Sequence, residues 1–480
     1  MTDALPERLR AAWPKVLAVP RFPPGARLAP AMPRTGARGG VLGDALSIAR
    51  DGMLEFLMDV RRRCGPIGRF RVLGMTCHAT FDPEGVRHVL VDAARLYTKR
   101  ARGFEKLRLF LGNGLLTSEG EFWLRQRRIA QPAFHRDRVR GFAATMVRAA
   151  EDLCARWDVA AERGEVLDLS EEMMRVTLRI AGETLFSVDP TGRATVIARA
   201  LDYVNEDTSR RINALFDVPL AVPTPRNRRF LEAKRELDAV VEAIIAGRRA
   251  DAARGARHDD LLAMFMEVRD EETGERMTDA QLRDEVMTML LAGHETTANA
   301  LTWALYLLAQ HPAVARQLEG ELAAVLGDGA PTADLVPRLE MTRRVLDEAM
   351  RLYPPAWIVG RSPSEDDALL GCFIPAGSLV FVSPYVMHRN PELWENPEAF
   401  DPDRFRPENV ERRPRYAYFP FGAGPRLCIG QPFALFEGTL LLAMLARRYR
   451  LAVLPGHRVE LEPLITLRPK GGIPVTLQRA

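Results

Sequence analysis

Phe421-Gly422-Ala423-Gly424-Pro425-Arg426-Leu427-Cys428-Ile429-Gly430 sets three glycines and one proline around a single cysteine. That composition makes a tight loop in which backbone approaches something closely. A helix-period apolar pattern starts just after Cys428 and runs over about 430–448. A cysteine at a helix N-terminus sits where amide N–H groups and the helix dipole stabilise negative charge. Its thiolate is then populated and can ligate a metal. Arg426, two residues earlier, is placed to pair with a second anion.

Outward from this loop, most of the chain carries apolar residues at helical spacing. Residues 122–129, 140–157, 171–184, 228–249, 278–310, 312–326 and 343–352 all do so. Residues 67–73 and 76–81 alternate enough for a short hairpin through Gly74. Strands also dominate 357–386, around the turn Ile374-Pro375-Ala376-Gly377, and 451–478. The pattern predicts a mainly α fold with a minor β region. Residues 1–40 carry Pro6, Pro14, Pro20, Pro23, Pro24, Pro30 and Pro33 and read as an extended arm lying on the domain. Residues 41–480 read as one domain, and the charged stretch 269–277 as a surface turn before the long helix.

At ~150 residues per domain, 480 residues suggest about three domains, but no linker separates them. Hydrophobic residues at 47% and charged residues at 27% exclude collagen, coiled coil and general disorder. The balance of 67 basic against 63 acidic residues gives no reason to expect nucleic acid. The longest apolar stretch, 286–308, holds His294 and Glu295 near its middle, so no membrane span is expected. No apolar segment follows the start as a secretory signal would require. Cys64, Cys77, Cys154, Cys372 and Cys428 show no CxxC spacing. A reducing, cytoplasmic location fits them better than a disulfide framework.

Phe421, Gly424, Arg426, Cys428 and Gly430 together resemble the haem-binding signature of the cytochrome P-450 superfamily, the haem-thiolate monooxygenases. A lone cysteine in a glycine turn is ordinarily a packing residue; ten residues of matching pattern reverse that reading. The resemblance implies the cytochrome P-450 fold, with haem b (iron protoporphyrin IX) between the long distal helix and the Cys-ligand loop. Cys428 would be the proximal axial thiolate to the iron. Arg426 would contact a haem propionate, Phe421 would pack beside the sulfur, and Gly430 would belong to the same cofactor-binding loop. Amide N–H groups toward the sulfur temper the electron donation that favours O–O cleavage.

Glu348 and Arg351 stand three apart on one helix face, by themselves an ordinary surface pair. Leu352-Tyr353-Pro354-Pro355 ends that helix, and Pro402-Asp403-Arg404-Phe405 follows later. The set resembles the family's Glu-x-x-Arg pair with Arg404 as third member. It implies a buried structural triad, with Asp403 standing where the family more often has Glu. Trp123 and Arg127, four apart, resemble the family's propionate-binding Trp-x-x-x-Arg, and Arg361 resembles another propionate-binding arginine. Lys99 is weighed as a further contact and not assigned.

Ala292-Gly293-His294-Glu295-Thr296-Thr297 interrupts the longest helical pattern. A mid-helix Gly alone costs roughly 1 kcal/mol, a local violation expected at a functional site. A zinc His-Glu-x-x-His reading fails because no second His follows at that spacing. His294 therefore reads as a satisfied core or surface histidine. By resemblance, Ala292 contacts the cofactor and Gly293 lets the haem face approach the backbone. Thr296 would hydrogen-bond dioxygen or a water, and Glu295 would help relay protons.

Together these motifs imply a monooxygenase that inserts one oxygen atom of O2 into an organic substrate. The other atom becomes water with two electrons from outside. No Gly-rich dinucleotide fingerprint follows a strand, so a separate ferredoxin or flavodoxin with its NAD(P)H reductase is expected. Arg125, Arg127, Arg128, Arg136, Arg138 and Arg140 flank Trp123 and form a candidate docking face for an acidic partner. By family position, residues 101–111, 213–222, 287–291, 356–359 and 464–467 line the substrate pocket. Most are aliphatic, which favours an apolar terpenoid, fatty acid or steroid-like substrate. Two other readings stand beside this one. A hydrogen-peroxide-dependent peroxygenase is opposed by Glu295 and Thr296, and a non-catalytic haem-thiolate sensor or carrier has no signalling or DNA-binding module to support it.

Overall fold

The computed structural model describes residues 26–32 and 44–480, except 73, 215–216, 268–273, 275 and 328. The chain opens with α1 (Ala45–Cys64), β1 (Ile67–Val72), β2 (Met75–Thr80), α2 (Pro83–Arg87) and β3 (Tyr97–Thr98). Next come α3 (Arg102–Leu111), α4 (Gly120–Ala130), α5 (Arg136–Gly141), α6 (Ala143–Arg163) and β4 (Leu167–Asp168). The central helices are α7 (Leu169–Phe186), α8 (Ala194–Asn213), α9 (Pro225–Ala253), α10 (Leu261–Glu267), α11 (Asp279–Gln310), α12 (Pro312–Leu326) and α13 (Glu340–Leu352). Strands β5 (Val359–Pro363), β6 (Asp367–Leu369), β7 (Cys372–Ile374) and β8 (Leu379–Val382) precede α14 (Pro384–Met387) and α15 (Pro407–Arg412). The chain closes with α16 (Gln431–Arg448), β9 (Tyr449–Val453), β10 (Leu461–Pro463), β11 (Leu467–Pro469) and β12 (Pro474–Arg479).

Helix α11 organises the interior. Its 32 residues span about 48 Å at 1.5 Å per residue. A reciprocal capping box between Thr278 and Gln281 fixes its start by satisfying otherwise orphaned N–H groups. Helices α7, α9, α13 and α16 pack around it. It is therefore apolar on nearly every side, as a surrounded helix must be. No helix among the described residues is long and apolar enough to cross a membrane.

The sheets lie to one side. Strand order is β1-β2-β8-β5-β3, with β2 and β8 parallel and the other pairs antiparallel. Alternation along the strands feeds two small cores. Cys77 and Ala79 face Phe56 and Phe70, whereas Ile67, Val380 and Val382 face Val86 and Tyr97. A second sheet, β4-β12-β9, and the hairpins β6–β7 and β10–β11 complete the β region.

The expected hairpin forms through Gly74, which has a φ of 79°. Several helices lie outside the expected segments, and three of them show why. Helix α1 contains Gly52 at φ 80°, which breaks its pattern in the middle. Helix α10 is only seven residues long. Helix α8 buries Asn205, Asp207, Thr208, Ser209 and Arg211, so polar residues occupy the face that periodicity searches for apolar ones. The expected 140–157 helix is instead α5 and α6, joined at Phe142. Of the N-terminal arm, residues 26–32 are described, and Arg27 and Ala31 bridge to Cys372 and Arg69 on the sheets. The surface turn at 269–277 falls mostly outside the described residues.

Candidate active site

The Cys428 loop is shaped by backbone contacts. Cys428 N–H donates to the Phe421 carbonyl at 3.0 Å and closes the loop. Gly424 has φ 66°, and a Cβ there would lie 2.0 Å from the Leu90 carbonyl oxygen. Only glycine fits that approach. Gly430 caps the start of α16. Cys428 is the exposed one of the five cysteines; the other four are buried. Its neighbours pull the thiol in opposite directions: desolvation raises its pKa, while the N–H groups of Gly430 and Gln431 and the charge of Arg127 lower it. Coordination to a metal cation is the effect that deprotonates such a thiol outright.

Beside the loop, cations gather with too little negative charge. Arg127 Nη1 donates to the Leu427 carbonyl at 2.7 Å, and Arg426 Nη1 to that of Ser118 at 3.0 Å. The Arg426 guanidinium stacks 3.6 Å from the centre of the Trp123 ring. Trp123 is thus a platform for Arg426 as well as a neighbour of Arg127. Arg361 and Lys99 are both buried. Burial, with repulsion from Arg426 and Arg361, holds Lys99 well below the usual lysine range. Burial pushes Arg361 down to about 10, and burial with repulsion from Arg361 does the same to Arg426. Glu119 opposes each of these shifts. Its carboxylate is already engaged by the backbone N–H of Lys99. A cluster of buried cations is stable only when anions pair with it. One accessible thiol beside this surplus is a donor set that fits haem b: the thiol could hold an iron, and the cations could pair with carboxylates.

On α11, Ala292 and Thr296 lie four apart on one face, and Thr296 Oγ1 donates to the Ala292 carbonyl at 2.9 Å. Both side chains are at least partly open, unlike those of His294 and Glu295. Gly293 borders α7. A Cβ on it would meet Ala181 and Leu185 of α7 at 3.5 and 3.6 Å, so this glycine serves the α7–α11 contact. His294 is a core histidine: its Nδ1 lies 2.7 Å from the Leu290 carbonyl, and burial pushes its pKa down. Glu295 accepts from Asn205 Nδ2 at 2.9 Å and from Thr466 Oγ1 at 2.5 Å. Neither partner stands near Glu295 in the sequence, and no local motif marks them.

Glu348, Arg351 and Arg404 do come together. Arg351 makes a two-pronged contact to Glu348, 2.6 and 2.7 Å, with both side chains fully buried. It also donates to the carbonyls of His388, Pro397 and Ala399. Arg404 Nε lies 3.4 Å from Glu348 Oε1, and the Asp401 N–H donates to the same oxygen at 2.9 Å. Asp403 pairs with Arg344 at 2.8 Å.

Of the expected pocket lining, Leu107, Met287, Met289 and Leu291 are buried apolar residues. Residues 215–216 of the 213–222 segment lie outside the described residues. The charges of α3 tie it to that segment. Arg102 donates to the carbonyls of Arg211 and Ala214, and Lys106 pairs with Asp217 at 2.5 Å.

The helical chain sets an accessible thiol at the start of α16, and α16 packs against the long helix α11, an arrangement consistent with a haem-thiolate protein. Comparison with known families agrees: residues 33–474 match the Cytochrome P450 family. The chain belongs to the cytochrome P450 family. It is 40% identical over 443 residues to Cyclooctatin synthase of Streptomyces melanosporofaciens, covering 90% of this chain and 93% of the relative. Cyclooctat-9-en-7-ol 5-monooxygenase of the same organism is 37% identical, with 83% of each chain covered. Pentalenene oxygenase of Streptomyces avermitilis is 35% identical, covering 85% of this chain and 87% of the relative. The crystal structure of the cytochrome P450DA heme domain superposes with a TM-score of 0.84 at 28% identity, covering 95% of this chain and 98% of that one. The protein is thus a monooxygenase with haem b as cofactor.

Proposed function

We propose that this monooxygenase acts in the cytoplasm on an apolar, terpenoid-like substrate, with electrons from a separate ferredoxin or flavodoxin and its NAD(P)H reductase. The observation that carries the site assignment is the accessible thiol of Cys428 beside a surplus of buried cations. In this reading Cys428 is the axial ligand, with Phe421 and Gly430 shaping its loop. Arg127, Arg361 and Arg426, with Trp123 beneath Arg426, hold the propionates. Haem supplies dioxygen activation. Ala292 and Thr296 present a carbonyl and a hydroxyl on the open face of α11, where the hydroxyl can pass a proton. Glu295 is the acid that resupplies it. The buried aliphatic residues of α3 and α11 hold the substrate and exclude water. Glu348, Arg351 and Arg404 are structural.

The substrate class rests on two supports: the aliphatic lining, and the names of relatives that act on a cyclooctatenol and on pentalenene. A spin-state titration of the ferric protein tests it. Cyclic terpenes and their alcohols should give the low- to high-spin shift at lower concentration than fatty acids or steroids. Fatty acids binding tightest would overturn the class. Product formed by peroxide alone as fast as with an electron donor would favour a peroxygenase.

A further inference from the structure

Glu295 is buried, yet no cation among the described residues forms a salt bridge with it. Its two oxygens are held instead by neutral donors from two distant elements. Asn205 of α8 donates to Oε2 at 2.9 Å. Thr466, between β10 and β11, donates to Oε1 at 2.5 Å. Asn299, one turn along α11, donates to the Thr466 hydroxyl at 3.0 Å. That hydroxyl is thereby committed: it accepts from the amide and gives its proton to the carboxylate. Asn205 and Asn299 each leave their side-chain oxygen buried without a partner. Both amides are turned to aim N–H groups into the cluster at that cost.

We propose that Asn205 and Thr466 are positioning residues for Glu295, which fix its carboxylate for proton delivery and tie it to the substrate-side turn. The proposal rests on the reading of Glu295 as the acid of the proton relay. Glu295 and Thr296 are adjacent on α11, so their side chains leave the helix about 100° apart. Geometry from outside α11 must decide where the acid points. Neutral donors suit this role, because a cationic partner would hold the proton-carrying group in one charge state. The turn that carries Thr466 also carries Leu464 and Ile465, both only partly buried. Trp357 and Trp303 fix this turn through indole N–H bonds to the Leu464 and Leu467 carbonyls. An apolar substrate seated against the turn therefore meets the element that holds the acid.

Thr466→Val removes the hydroxyl at nearly constant shape, and Thr466→Ser restores it. In the ferric holoenzyme, the carboxyl infrared band that disappears in Glu295→Gln should move in Thr466→Val and return in Thr466→Ser. The spin-shift dissociation constant should stay within about twofold of the parent, while hydrogen peroxide released per electron pair rises about threefold or more. Serine should bring it back. An unmoved band, or peroxide release that serine does not lower, overturns the proposal and leaves Thr466 a packing residue. Peroxide release left unchanged by Glu295→Gln would instead overturn the reading of Glu295 as the relay acid, and the infrared band would still report on positioning.

Discussion

Cys428 shows how far one residue can be read locally. Its glycines, proline and arginine are contiguous, so the tight loop around it was legible from ten letters. Its surroundings were not, because Arg127, which bonds the Leu427 carbonyl beside it, lies 300 residues earlier in the chain. Glu348 and Arg351 are the other contiguous pair, and their spacing by itself resembled a surface contact. Full burial changes what the pair is worth. Removing one partner of a buried pair leaves an uncompensated charge and costs about 3–5 kcal/mol. Glu348→Gln should therefore lower unfolding free energy by that order in a urea titration. A loss under about 1 kcal/mol, the range of exposed pairs, would show that the three carbonyls around Arg351 carry it without the carboxylate.

Among the elements, α11 and the segment after α3 depend on one another. Asn113 N–H donates to Asp284 Oδ2 at 2.7 Å, and Leu115 N–H to Glu285 Oε2 at 3.0 Å. Burial raises Glu285 from 4.5 to about 8, helped by Asp284 and opposed by the Leu115 N–H. The folded state keeps a proton that the unfolded chain has already released. Its contribution to stability is full below pH 4.5 and is lost as pH rises through about 8. Glu285→Gln is neutral throughout, so it should flatten this part of the stability profile. Its advantage over the parent should grow as pH rises through this window, by about 1.4 kcal/mol or less for each tenfold drop in proton concentration. Parallel profiles for the two proteins would exclude Glu285 as the titrating group. Helix α8 shows why some elements escape sequence reading. Arg211 bonds Asp207, Asp217 and Asn227 within the fold, and buried polar residues of this kind erase the apolar period.

Across the whole molecule, four of the six clustered arginines sort into two groups. Arg138 and Arg140 are occupied by Asp259 and Asp334. Arg128 and Arg136 are exposed, with no ion pair among the described residues. These two are the better docking candidates for an acidic electron donor. Arg128→Glu with Arg136→Glu should slow reduction by a ferredoxin about tenfold or more at low salt and weaken its salt dependence. An unchanged, still salt-sensitive rate would move the docking face elsewhere. The sequence by itself determined the class of protein: the Cys428 loop, the Glu-x-x-Arg pair and the Glu295-Thr296 step on a long helix are short, contiguous patterns that resemble the family. It also determined that helices dominate, because their apolar period survives in most segments. Only the tertiary structure decided the rest. Lys99, Glu119, Arg361 and Arg426, with Trp123 against Arg426, come together from distant parts of the chain. Gly293 faces α7, and Glu295 is held by Asn205 and Thr466. Burial and long-range hydrogen bonds are properties of packing, and a linear spacing does not encode which distant side chain will arrive.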